Sequence, residues 1–214
     1  MSVSNPAFIP PWLATHIDNP PSAPNVMDDE FDASATASKW STLFSLPGTW
    51  TFGNSNGYST VSAWLSQTKP ATPCEFLLCG HLQLPFSANS NGIGIGFCDS
   101  ASGKIATLTF RTDGTSNITI CVFNWTSGTF TGSAISTTSV TSTILAGGAY
   151  PVKIRIYLKV KDDGTNFIYK YSFDGVNFNT ILSHSRTTFV PTGGNLIVIK
   201  TENFGAIDYF RRTL

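Results

Sequence analysis

Along most of the chain, apolar and polar residues alternate with a period of two. In Val152-Lys153-Ile154-Arg155-Ile156-Tyr157-Leu158-Lys159-Val160, aliphatic side chains recur at every second position with basic or aromatic ones between them. Successive side chains of a strand point to opposite faces, so this run predicts a strand buried on one face and half exposed on the other. Phe167, Tyr169, Tyr171 and Phe173 alternate in the same way with Ile168, Lys170 and Ser172. Asp163-Gly164 before that run and Asp174-Gly175 after it supply residues that tolerate positive φ, which predicts two successive hairpins. Asp113-Gly114 separates Lys104 to Arg111 from Asn117 to Trp125, and Ser127-Gly128 marks the next turn, so the meander continues.

Residues 75–86 place Phe76, Leu78, Gly80, Leu82 and Leu84 on one face and His81 and Gln83 on the other. In Gly92-Ile93-Gly94-Ile95-Gly96-Phe97 the glycines fall on one side and the apolar residues on the core side, so one sheet face is expected to be bare there. The Ser- and Thr-rich stretch 129–148 reads as an edge strand with loops. Long helical periodicity is absent. Strand-like signals stand at both ends, Asp28-Asp29-Glu30-Phe31 and Ile207-Asp208-Tyr209-Phe210-Arg211-Arg212, which suggests that the first and last strands meet. The expectation is one all-β domain over residues 27–214.

Residues 1–26 contain Pro6, Pro10, Pro11, Pro20, Pro21 and Pro24, which favour an extended N-terminal arm. Phe8, Ile9, Trp12, Leu13 and Ile17 are more apolar residues than an inert spacer needs. They either dock the arm on other proteins or pack back on its own domain.

Composition narrows the function. Charged residues make up 12% and cancel to a net charge of zero, which leaves no broad field for nucleic acid or an anionic membrane. No stretch approaches a membrane span, and the first nine residues lack the pattern of an export signal, so the chain is expected to be made in the cytoplasm without membrane insertion. Cys74, Cys79, Cys98 and Cys121 sit mostly in apolar runs and read as buried, free thiols.

Several segments together carry a resemblance: Pro20 to Phe31, Trp40, the Gly92 to Phe97 strand, Tyr171-Ser172-Phe173-Asp174-Gly175-Val176-Asn177-Phe178, and Ile207-Asp208-Tyr209-Phe210-Arg211. The chain resembles the concanavalin A-like lectin/glucanase superfamily. That resemblance implies an antiparallel two-sheet jelly-roll sandwich with adjacent termini. It is similar in particular to the lectin-like sandwiches of bacteriophage tails and capsids. The implied role is a non-enzymatic virion accessory protein, as a capsid decoration or tail attachment. Such a protein would meet other virion proteins through its arm, hold host-surface glycans, and by analogy form a homotrimer. A freestanding carbohydrate-binding lectin is the alternative, and a glycoside hydrolase is a third reading.

The candidate chemistry is sparse. Glycosidases of the superfamily need closely spaced carboxylates on a strand, whereas Glu30, Glu75 and Glu202 stand isolated, so no catalytic residues are expected. Asp28, Asp29 and Asp208 could supply oxygen ligands to a structural calcium where the terminal strands meet, and Asp162, Asp163 and Asn166 form another oxygen-rich turn. The competing reading has these aspartates capping backbone amides, with Asp208 paired to Arg211 or Arg212. Cys74, Cys79, His81 and Cys98 match no zinc spacing. Trp50, Tyr58, Trp64, Trp125 and Tyr157 are the candidate platforms on which a sugar ring could stack.

Overall fold

The computed structural model describes residues 27–31, 39–43, 50–53, 56–58, 62–83, 92–112, 117–126, 132–140, 153–203 and 205–214. The arm, with Phe8, Ile9, Trp12, Leu13 and Ile17, lies outside the described residues, as does Leu84. The described strands are β1 (Ser41–Thr42), β2 (Thr51–Gly53), β3 (Asn56–Tyr58), β4 (Ala63–Thr68), β5 (Cys74–Gln83), β6 (Gly92–Asp99) and β7 (Lys104–Thr112). They continue as β8 (Ile118–Trp125), β9 (Gly132–Ser139), β10 (Lys153–Asp162), β11 (Asn166–Ser172), β12 (Asn179–Ser185), β13 (Leu196–Glu202) and β14 (Gly205–Arg212). Two seven-stranded antiparallel sheets result, in the orders β1-β4-β13-β6-β7-β8-β9 and β12-β11-β10-β5-β14-β3-β2. The polar stretch expected at an edge supplies β9, the last strand of the first sheet. Gly164 and Gly175 take φ of 97° and 75° in the turns that flank β11.

Alternation decides which side chains meet. In the first sheet, Leu65, Ile199, Ile95, Leu108 and Val122 stand in one cross-strand row on the inner face. The second sheet answers with Phe76, Leu78, Leu82, Ile154, Ile156, Leu158, Val160, Ile207 and Phe210, all within one apolar cluster. Phe97 and Phe167 stack at 4.3 Å within it. Gly80 has no room for a side chain: a Cβ there would lie 2.5 Å from the Ala206 carbonyl oxygen and 2.7 Å from Ile93 Cδ1. The sandwich therefore closes tightly where β5, β14 and β6 approach.

Residues 28–31 and 207–212 meet as expected. Asp29 and Phe210 exchange backbone hydrogen bonds of 3.0 and 2.9 Å. The Asp29 carboxylate accepts from the Phe31 amide and from Trp40 Nε1, each at 2.7 Å. Asp28 accepts from the Arg212 amide at 2.8 Å and Arg211 pairs with Glu30. Trp40 in turn packs edge-on against Phe210 at 5.1 Å. At one end of the sandwich, the fully buried Asp162 joins Lys69 at 2.9 Å, Arg186 at 3.2 Å and the Gly164 amide at 3.0 Å.

Turn carboxylates are also occupied by local donors. The Ser172 hydroxyl, the Asn177 side chain and the amides of Asn177 and Val176 hold Asp174 well below the usual carboxylate range. The Asn166 and Thr165 amides depress Asp163. Burial opposes the charge of Asp99, but the amides of Ala101 and Ser102 and the Thr192 hydroxyl outweigh it and lower its pKa.

Two outcomes follow from these contacts. Asp29→Ala leaves two buried donors without acceptors and is expected to cost about 3 kcal/mol in urea unfolding; a loss under about 0.5 kcal/mol would show that the terminal latch contributes little. Because the three turn carboxyls ionise more readily folded than unfolded, the unfolded chain binds more protons in acid. Their stabilisation is full above the unfolded value of about 3.9 and is lost as pH falls through the lower folded values. A melting temperature that stayed level from neutral pH to about pH 2 would contradict this.

Candidate functional site

The outer face of the first sheet is built over the glycines of β6, where a bare surface was expected. The structure fills it instead. Lys200 Nζ from β13 sits 4.3 Å from the Trp125 ring and 5.2 Å from the Trp64 ring, and 3.0 Å from Glu202. Trp125 Nε1 donates to Thr107 at 2.8 Å, and the Thr107 and Thr109 hydroxyls are 3.2 Å apart. A Cβ on Gly94 would lie 3.0 Å from both Lys200 Cγ and Thr109 Oγ1, so the glycines make room for these neighbours and leave no groove. Trp64 and Trp125, two of the candidate platforms, are thus brought within 5.6 Å of each other. They are 1% and 7% exposed and belong to a second apolar cluster with Leu43, Ile105, Phe123 and Val198. Burial lowers the Lys200 pKa, against the pull of Glu202.

The outer face of the second sheet is different. Register places Tyr58 of β3, Ala206 of β14, His81 of β5 and Arg155 of β10 in one row. The next row holds Tyr209, Cys79 and Tyr157. Between the rows, β14 carries a bulge at Ile207/Tyr209, which turns Asp208 out of the pairing ladder and onto this face. Its carboxylate lies 2.8 Å from His81 Nδ1 and 3.3 Å from Arg155 Nε, with Cys79 Sγ at 3.9 Å. The pairing expected with Arg211 or Arg212 is therefore replaced by one with His81 and Arg155. Arg211 instead covers the Tyr209 ring at 4.8 Å, and Lys159 covers Phe178 at 4.2 Å.

Tyr58 is 40% exposed, and Tyr209 is half-buried beneath Arg211. The two tyrosines stand on the adjacent strands β3 and β14, Tyr209 three residues beyond the Ala206 that faces Tyr58. Tyr157 shares the face but is 4% exposed, because the turn at Gly175 lies against its ring. Trp50 stacks on Phe52 at 5.9 Å against the margin of the core. His81, fully buried under Arg155 and Asp208, keeps Nε2 without a hydrogen-bond partner among the described residues.

Asp28, Asp29 and Asp208 do not converge: the first two hold the terminal latch while Asp208 serves His81 and Arg155. Asp163 accepts from the Thr165 and Asn166 amides at 2.8 and 2.7 Å, the capping role weighed against calcium. Among the described residues no group of three or more His, Cys, Asp or Glu is placed to hold a metal ion. All four cysteines are buried and free, with Cys74 on the inner face and Cys79 on the outer. Burial, helped by Asp99, pushes the Cys98 thiol up to about 12. Tyr209 and Arg155 were missed as site residues; the outward position of Arg155 in an alternating run was an available signal, whereas Tyr209 faces outward only because of the bulge.

No family description matches the sequence, and no curated protein matches it. Solved structures do share its architecture. The CBM2 module of the evolved Dit of Lactobacillus casei BL23 phage J-1 superposes with a TM-score of 0.55 at 12% identity, over 86% of this chain and 93% of that one. A legume lectin-like domain from Entamoeba histolytica gives 0.62 at 9% identity, over 89% and 98%. The fold is an antiparallel two-sheet jelly-roll sandwich. Xylan β-1,4-xylosidase from Bacillus halodurans C-125 carries the same jelly roll, with a TM-score of 0.60 at 13% identity; 92% of this chain covers 41% of that enzyme.

Asp208→Ala removes the acceptor that faces both His81 and Arg155 and is expected to cost about 2 kcal/mol, with Asp208→Asn costing less. Urea unfolding of both variants checks this, and two wild-type midpoints would show that the bulge positions nothing of consequence.

Proposed function

We propose that this jelly roll is a non-catalytic carbohydrate-binding module mounted on a bacteriophage particle, with the sugar lying across the outer face of the second sheet. The observation that carries the reading is the bulge at Asp208, which sets a carboxylate, paired with Arg155, beside the exposed Tyr58 and the half-buried Tyr209. Sugars present apolar C–H faces that stack on aromatic rings and hydroxyls that need fixed donors and acceptors. Tyr58 and Tyr209 supply the first requirement, and Asp208, Arg155 and Arg211 supply the second.

Hydrolysis is not part of the reading. Of the other acids on this face, Glu30 is paired with Arg211, and Glu75 stands four residues along β5 from Cys79, or about 13 Å. Glycosidic cleavage calls for two carboxyls about 5 to 9.5 Å apart. Glu75 is moreover engaged by Lys159 at 3.5 Å and by the Thr213 hydroxyl at 2.8 Å. The particle setting draws on the printed description of the phage Dit module, and the proline-rich arm with Phe8, Ile9, Trp12, Leu13 and Ile17 would be the mount.

A glycan array with the full chain tests the binding, and mass spectrometry of purified particles tests the setting. Tyr58→Ala and Tyr209→Ala should each weaken the best array ligand about tenfold, or 1.4 kcal/mol, without releasing reducing ends from it. An array without a ligand, or affinity indifferent to both substitutions, would overturn the site. Particles that lack the protein would overturn the mounting.

A further inference from the structure

The same face carries a surplus of positive charge that the chain as a whole does not. Lys170 stands directly opposite Lys159, Lys159 opposite Leu77, and Leu77 opposite Arg211, so one row across four strands holds three cations. The row spans three strand spacings, about 14 Å. Lys161 follows in the next outward position of β10 and Arg155 lies on the other side of Tyr157. Against these five cations stand three acids in ion pairs, Glu75 with Lys159, Asp208 with Arg155, and Glu30 with Arg211, and a fourth, Asp163 in the turn after β10, whose charge acts on Lys161. Lys161 and Lys170 make no ion pair among the described residues, although the net charge of the sequence is zero.

Like charges directly opposed across two strands are unfavourable. Lys159 and Lys170 bear that cost at a half-buried position, where an anion lying between them would relieve it. We infer that the ligand of this face is a negatively charged glycan, whose carboxylate or phosphate groups meet the Lys170, Lys159 and Arg211 row while its sugar rings rest on Tyr209 and Tyr58. This rests on the carbohydrate reading above and adds the charge of the ligand to it. Aromatic rings beside the cations favour a sugar polymer over a bare polyanion, since the Phe178 and Tyr209 rings lie against Lys159 and Arg211.

The test uses the full chain and two matched pairs of probes, polygalacturonate against its methyl ester and dextran phosphate against dextran, with duplex DNA as a sugar-stacking-free polyanion. At least one charged probe should bind roughly tenfold tighter than its neutral counterpart, and the difference should shrink as salt rises from about 0.05 M to about 0.5 M. The Lys159→Gln/Lys170→Gln double variant, checked for an unchanged melting temperature, should lose that preference; Lys170→Gln alone serves if the pair fails to fold. Neutral and charged members binding equally would overturn the charge preference and leave the glycan reading standing. Duplex DNA binding as tightly as the sugars would also overturn it, in favour of general polyanion capture. Silence from these probes and from the array together would remove both readings.

Discussion

The insertion of the last strand, β14, between β5 and β3 is the constraint on which the site depends. Tyr58 has its place because β3 pairs with Ala206 and Ile207 of β14 and, among the described residues, otherwise only with β2. Asp208 reaches the outer face because β14 skips one residue against β5. The strand is held in turn by the exchange between Asp29 and Phe210, by Trp40 packed against Phe210, and by Phe210 stacked 5.6 Å from Phe76. A contact made by the beginning of the domain thus fixes a strand from its end, and that strand sets the rings and the carboxylate.

Much of the architecture could be read from the alternation. Strands β10 and β11, their turns at Gly164 and Gly175, the edge position of β9 and the meeting of residues 28–31 with residues 207–212 all follow from local pattern and turn chemistry. The candidate site was harder to read, and for a physical reason. A bulge is a relation between two strands, here β5 and β14, that are more than a hundred residues apart in sequence. Nothing local in Ile207-Asp208-Tyr209 shows that one residue leaves the ladder. Lys200 illustrates the same point in the other sheet. A lysine opposite a glycine reads as exposed, yet two indoles and Glu202 enclose it. Aromatic residue type alone also failed to separate packing from presentation: Trp64, Trp125 and Tyr157 are covered, while Tyr58 is open.

The two outer faces show how one fold divides its labour. In the first sheet the glycines admit large neighbours, and hydrophobic burial with a caged ammonium closes the surface. In the second, long basic side chains alternate with tyrosines and a bulge delivers an acid among them. A closed face strengthens the sandwich, whereas an open face of fixed rings and hydrogen-bonding groups can hold a ligand without rearrangement. Carbohydrate binding needs only that second property, and no step in it requires a nucleophile or a proton relay.

The most direct measurement is amide chemical-shift mapping of the labelled protein as a bound glycan is added. Changes centred on β3, β14 and the neighbouring parts of β5 and β10, around Tyr58, Asp208 and Tyr209, are the expected result. Changes centred instead on the other sheet, around Trp64, Lys200 and Trp125, would contradict a sugar surface built by the bulge in β14.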